Sequence, residues 1–282
     1  MLVLFLRVLS LASLLLLGFV VLFLVREGLP ALGEVGVVPF LRGTVWMPVD
    51  YTGSQSFGIA NFVASTALVS PLAVAMAAVV GMGAALCLAL GVTERVRVAI
   101  MPLIELLAGV PSVVYGFVGL VTLVKALIGL GVSGGSCVLA ASVVLAVMLL
   151  PYVIPSLCES VLAVSEGSRA ASDALGVSVW HFAATVALPA SWRGLLASLT
   201  LALGRAMGET MVVMMVVGNA NVAPTLLGRG ETIASLVALE MGTAVPGSTH
   251  YHALYAAGLV LLGLLLVVDA LVWLLRRRWR RG

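Results

Sequence analysis

Charge is scarce in this 282-residue sequence: Asp, Glu, Lys and Arg together make up 10% of it. A single lysine, Lys125, is present, and Ala126 follows it. No Gly-x-x-x-x-Gly-Lys-Ser/Thr phosphate loop can be written, so the chain is not itself an ATPase of that kind. Cys87, Cys137 and Cys158 sit in or beside apolar stretches without metal-ligand spacing and read as small packing residues. His250 and His252, two imidazoles without further ligands, read as part of a solvated loop rather than a metal centre. The net charge of +3 comes from Arg276, Arg277, Arg278, Arg280 and Arg281; without them the chain is slightly acidic. That distribution is no nucleic-acid signature and reads instead as a cytoplasmic membrane anchor.

Apolar residues are abundant, at 62% with a mean hydropathy of +1.22. A soluble domain is about half apolar and about a quarter charged, so this composition is that of an integral membrane protein. A window of about 20 residues picks out six apolar runs: Leu2–Val25, Asn61–Val92, Val98–Leu123, Cys137–Leu157, Gly194–Gly218 and Tyr255–Leu275. The first carries Arg7 and is followed by no small-residue cleavage site, so it is read as a retained helix. Arg95 and Arg97, Arg169 and Arg193, and the terminal arginine cluster fall on one side if the N-terminus is cytoplasmic. The opposite side then receives Glu27, Glu34, Asp50, Glu231 and Glu240 against Arg26, Arg42 and Arg229. An all-α protein of six spans, with both termini inside, is the expected topology.

The run from Leu201 to Asn219 is the most informative, because it places Arg205 and Glu209 within an apolar span. Charges at membrane depth are costly and usually face a bundle interior or a wet path. On a continuous helix a spacing of four puts both on one face. They then either meet an anion together or form a purely structural ion pair, and the residues alone leave both readings open. Guanidinium suits a tetrahedral oxyanion, while Glu209 is able to neutralise Arg205 or to accept a proton from hydrogen phosphate. Gly204 and Gly208 form a Gly-x-x-x-Gly step that would let a second helix approach closely. Pro111 is expected to bend the third span, with Ser112 and Tyr115 offering hydroxyls beside the bend or simply packing there. Glu105, Lys125 and Asp269 read as interfacial groups.

The connection from Glu159 to Trp192 does not read as a linker. Ser165–Leu175 is a helix-forming stretch ended by Gly176, after which Ser178 can cap a second short helix, Val179–Leu188, expected to stop at Pro189. Leu175, Trp180, Phe182 and Val186 would give this hinged knob an apolar surface for a partner groove, unless it packs on itself along the membrane.

Ala170-Ala171-Ser172-Asp173-Ala174-Leu175-Gly176, nine residues, then Val186-Ala187-Leu188-Pro189 resembles the EAA loop of bacterial ABC importer permeases. Ala171, Gly176, Val186, Leu188 and Pro189 match that pattern in register. The departures are Ala170 where the family has glutamate, with Glu166 one turn earlier, and Ser172 for the second alanine. Glu105–Gly119 resembles the third span of phosphate-specific permeases, and Gly204–Asn219 the fifth span of their PstC subunits, where PstA subunits continue Gly-Glu-Thr with Ala-Pro. Ile233–Gly242 and His250–Leu254 are also PstC-like.

The resemblance implies a type I ABC importer permease of MetI-like architecture in the bacterial inner membrane, importing inorganic phosphate. The resemblance covers roughly Phe57 to the C-terminus and implies a permease core over 58–282 with a coupling loop near 159–192, while residues 1–57 are read from hydropathy alone as a first helix and outer loop, Arg26–Ser56 matching nothing. It implies a PstA-like permease partner, two ATPase copies, with the coupling loop seated in a cleft of the ATPase subunit, and an extracytoplasmic phosphate-binding protein. ATP would be used by the ATPase, with no cofactor on this chain. Another oxyanion (molybdate, tungstate or sulfate) is the alternative cargo. A proton-coupled secondary anion transporter and a signalling scaffold without flux are readings from other classes.

Overall fold

A computed structural model describes residues 1–48 and 55–278. Asp50, Arg280 and Arg281 of the charge argument lie outside the described residues. Among the described residues six helices are long and apolar enough to cross a membrane, in the places the hydropathy pattern marks but with different ends.

Helix α1 (Leu2–Val35) exposes its leucine-rich first half almost completely, with Leu14, Leu15, Leu16 and Leu17 each more than 60% exposed. Only its last turns are packed, where Ala31 is buried and Phe23 meets Tyr255 edge-on at 5.4 Å. A six-residue helix α2 (Val37–Arg42) follows, then a two-residue hairpin, β1 (Trp46–Met47) paired antiparallel with β2 (Ser56–Phe57), Trp46 opposite Phe57.

Helix α3 (Ala60–Gly91) is all-round apolar and packs along α6 (Val138–Ala174). Val69, Ala73, Ala77, Leu145, Leu149 and Val153 fill that seam, and the Ser142 hydroxyl donates to the Val69 carbonyl at 3.2 Å. The third apolar run is broken rather than bent. Helix α4 (Glu94–Leu107) stops, three turn residues follow, and Pro111 caps a new helix, α5 (Ser112–Gly129). Pro111 lacks an N–H and disfavours helix at the preceding residue, so a start is a better place for it than an interior. Helix α4 has no buried residue and carries Arg95 and Arg97 in its first turns.

The fourth run and the first half of the expected loop are one helix. Ser160, Ser165 and Ser168 return their hydroxyls to carbonyls four residues earlier, and α6 continues unbroken to Ala174. Gly176 then turns the chain with φ +71°, and the Ser178 hydroxyl accepts from the His181 N–H, as the loop pattern predicts.

Pro189 does not stop the next helix. Helix α7 (Val179–Gly208) widens into a π turn over Ala183–Ala187, and Pro189 lies in the first turn after it. The Leu188 N–H reaches back five residues to the Ala183 carbonyl, and this wider register accommodates the proline that follows. At its far end α7 stops at Gly208, so the expected continuous span to Gly218 is wrong. A short helix, α8 (Met211–Val216), an irregular stretch, α9 (Ile233–Glu240) and α10 (Thr249–Arg278) complete the chain.

The core lies in two parts. One joins α3, α6, α7 and α8; the other joins the end of α1, α2, the hairpin, α9 and α10 around Phe40, Phe57, Phe62 and Leu236.

Candidate functional site: an arginine at a helix break

Arg205 occupies the last turn of α7, where a cation faces the negative end of the helix dipole. Its guanidinium carbon lies 4.4 Å from the centre of the Tyr152 ring on α6. That is well inside cation–π range. The Tyr152 hydroxyl donates to the Ala108 carbonyl at 3.1 Å, and the Tyr115 hydroxyl donates to the Leu107 carbonyl at 2.8 Å. Both carbonyls lie at the end of α4, beyond its regular bonding, and that of Leu107 also accepts the Val110 N–H at 3.2 Å. Two tyrosines therefore satisfy the broken end of one helix, and one of them also carries the arginine.

Glu209 does not share a helix face with Arg205. It is the first residue beyond α7, in extended conformation with φ −74° and ψ 121°. Among the described residues no ion pair joins the two. Its carboxylate points forward instead and accepts from the Val212 N–H at 3.5 Å, a long bond at the start of α8. The expectation of a same-face pair fails because Gly208 ends the helix between them. Thr210 donates weakly to the Gly208 carbonyl at 3.4 Å, and Ser112 stands at the first position of α5. Helix α8 presses on α5 at Gly116, where an added Cβ would lie 2.8 Å from the Met215 sulfur and 3.3 Å from the Met211 carbonyl. Helix α8 is thus packed against the helix that starts at the break. Gly204 and Gly208 face open space, with nothing of this chain within 4 Å of an added Cβ.

Tyr152 is the residue that sequence reasoning overlooks. An aromatic between Pro151 and Pro155 in an apolar run reads as packing; the available signal is that it carries the run's one phenolic hydroxyl.

The loop residues form a separate surface. Glu166, Ala170, Ala171, Leu175 and Gly176 are all exposed, Leu175 at 81%. Trp180 is 60% exposed and Val186 and Pro189 are also at the surface, whereas Phe182 is buried and Leu188 half-buried. Phe182 is an internal anchor, lying beneath the Arg169 guanidinium at 5.9 Å, and not part of the partner-facing surface. Arg169 also pairs with Asp173 at 3.2 Å, one turn on.

A third group lies in the loops and helix ends on the far side of the chain sequence from this surface. His250 and Glu240 meet at 2.8 Å, and the Trp46 indole N–H donates to the same Glu240 oxygen at 2.8 Å. His252 contacts the Glu27 carbonyl oxygen at 2.8 Å and its carboxylate at 3.6 Å. The histidines are therefore fixed structural contacts, contrary to the solvated-loop reading, because α10 begins at Thr249 and carries both onto the end of α1 and α9. Nearby Glu231 is 8% exposed, and burial, with a smaller contribution from the Glu240 charge, pushes its carboxyl up to about 7.

The family described as "Binding-protein-dependent transport system inner membrane component" matches residues 77–281. The probable ABC transporter permease protein YqgH of Bacillus subtilis (strain 168) is 33% identical, covering 86% of this chain and 79% of that protein. The phosphate transport system permease protein PstC of Xylella fastidiosa (strain Temecula1) is 33% identical, covering 79% of this chain and 74% of that protein. The Mesorhizobium japonicum PstC is 31% identical over 90% of this chain and 83% of its own length. A structure of the inward-facing MetNI methionine ABC transporter superposes with a TM-score of 0.60 over 76% of this chain and 92% of that one. At 16% identity that likeness carries the fold alone. The chain is therefore a multi-pass membrane protein that belongs to the binding-protein-dependent transport system inner membrane components, among the PstC-type ABC permeases.

Proposed function

We propose that this chain is the PstC-type permease subunit of an ATP-driven importer of inorganic phosphate, and that Arg205 meets the anion in transit. The observation that carries the reading is the placement of Arg205. It is a guanidinium at a helix end, stacked on an aromatic ring and paired with no carboxylate among the described residues. An unpaired guanidinium keeps its planar N–H donors for a tetrahedral oxyanion. Ser112, Tyr115, Glu209 and Thr210 line the same path, with Glu209 close enough in sequence to compete with the anion or take its proton. Helix breaks that line a cavity are the usual place for a transporter's binding groups.

In this reading both termini lie in the cytoplasm. A PstA-like subunit packs over the open face of Gly204 and Gly208, and an outer phosphate-binding protein delivers the cargo. One subunit of an ATPase pair receives Glu166, Ala170, Ala171, Leu175, Gly176, Val186, Leu188 and Pro189 in its cleft. The chain adds neither cofactor nor hydrolysis; ATP acts through the partner.

The test is phosphate uptake by complexes carrying Arg205→Ala and Arg205→Lys. Loss of uptake in the first with normal assembly is expected, and Lys, which offers a point charge without the planar fork, is expected to restore it only in part. Wild-type uptake by Arg205→Ala would overturn the assignment.

A further inference from the structure

We infer that Tyr152 is the positioning residue for Arg205: its ring holds the guanidinium and its hydroxyl fastens that ring to the broken end of α4. The inference rests on the reading that Arg205 serves the anion path.

A cation in an apolar span needs a partner, and two kinds are available in principle. A carboxylate would neutralise the guanidinium and occupy the N–H donors that an arriving anion requires. An aromatic face attracts the charge by its quadrupole and leaves the edge of the guanidinium plane free. The structure has the second arrangement, with Arg205 at 4.4 Å from the Tyr152 ring centre and Glu209 turned away toward Val212.

The ring is itself held at both ends. Its Cα belongs to α6, whose neighbouring residues Pro151 and Val153 are buried against the rest of the bundle. Its hydroxyl is tied to the Ala108 carbonyl at 3.1 Å, a group left without a helical partner because α4 ends there. Tyr115 makes the matching bond to Leu107, so the break has two phenolic ties, of which Tyr152 alone also touches the arginine. Phenylalanine at 152 would keep the stack and free the carbonyl; leucine would remove both. The side chain thus joins three elements, α4, α6 and α7, at the point where the charge sits.

The experiment uses the complete reconstituted importer, with residue 152 replaced in turn by Phe and by mono-, di- and trifluorophenylalanine. Fluorine withdraws density from the ring face and weakens cation binding while scarcely altering its size. Phosphate uptake is expected to fall stepwise along the series, by about twofold to fivefold in total, in keeping with a cation–π contact to an exposed guanidinium. A side chain that only fills space predicts the same uptake throughout, and a flat series would overturn the proposal. Arg205→Ala is run in parallel. If that variant is inactive while the series is flat, the Tyr152 assignment alone falls; if it transports normally, the Arg205 reading falls first. Should the fluorinated complexes fail to assemble, Tyr152→Trp and Tyr152→Leu decide. Trp is expected to retain uptake and Leu to lose it, whereas equal uptake by the two would contradict the inference.

Discussion

Arg205 is visible in the sequence because charge is rare there and a guanidinium inside an apolar run has few structural reasons to exist. Its surroundings are less visible. The pairing with Glu209 assumes an unbroken helix, and Gly208 removes that assumption by ending α7 one residue before the carboxylate. Tyr152 is hidden for the opposite reason: an aromatic ring fits a packing role, and only the fold brings it under the arginine. The consequence at this scale is that Arg205→Ala removes charge-assisted contacts with the anion. Phosphate uptake should fall by about tenfold to a hundredfold at unchanged complex yield, taking a charged hydrogen bond at about 1.5–3 kcal/mol. Initial uptake rates together with size-exclusion profiles check both halves of that statement.

At the scale of elements, the glycine hinge was legible and the helix ends around it were not. Gly176 followed by Ser178 announces a stop and a start, and both occur, with φ +71° at the glycine and a side-chain cap at the serine. What composition could not foretell is that α6 runs unbroken from the membrane span into the loop, or that a π turn lets α7 pass Pro189. A perturbation at Leu175 or Gly176 therefore acts on the end of a rigid 37-residue helix rather than on a floppy connection. An added Cβ at Gly176 meets nothing of this chain within 4 Å, so within the chain a substitution there acts through backbone strain, about 1–2 kcal/mol in the left-handed region. Gly176→Glu is expected to leave basal ATPase activity of the assembled complex intact and to abolish its stimulation by loaded binding protein. Unimpaired stimulation would mean that the hinge does not couple.

The acidic group at the other end gives a prediction with a defined sign. Glu231 titrates near 7 in the fold because it is buried and, secondarily, because Glu240 is close; its ordinary value is 4.5. Between these values the native state holds a proton that the unfolded chain has released, so this group's contribution to stability is present at low pH and is lost as pH rises toward 7. Glu231→Gln should accordingly unfold at a higher temperature than the parent chain at pH 8, with the difference vanishing near pH 4.5. Thermal unfolding in detergent at the two pH values measures it. An equal difference at both would show that the gain is not protonation. The Glu240–His250–Trp46 contact ties the hairpin to α9 and α10 nearby, and Trp46→Phe should lower stability by about 0.5–1.5 kcal/mol through the one hydrogen bond lost, with His250 still on the same carboxylate oxygen.

For the whole molecule, the division of the core into two parts matches a division of labour. The larger part holds α3, α6, α7 and α8 and supports both the arginine site and the helix that reaches the hinge. The smaller part gathers α1, α2, the hairpin, α9 and α10, and carries the Glu–His contacts. Span number and membrane class followed from hydropathy because burial in lipid leaves a strong compositional mark. The break between α4 and α5 did not, because a proline in an apolar run is compatible with a bend as well as a fresh start. The measurement that bears most directly on the account is uptake of radiolabelled phosphate into proteoliposomes holding this chain, its permease partner and the ATPase, with binding protein outside and ATP inside. The account predicts ATP-dependent phosphate accumulation that excess molybdate and sulfate do not suppress and that Arg205→Ala lowers by about tenfold to a hundredfold. Uptake of another oxyanion in its place, or phosphate flux without ATP, would contradict it.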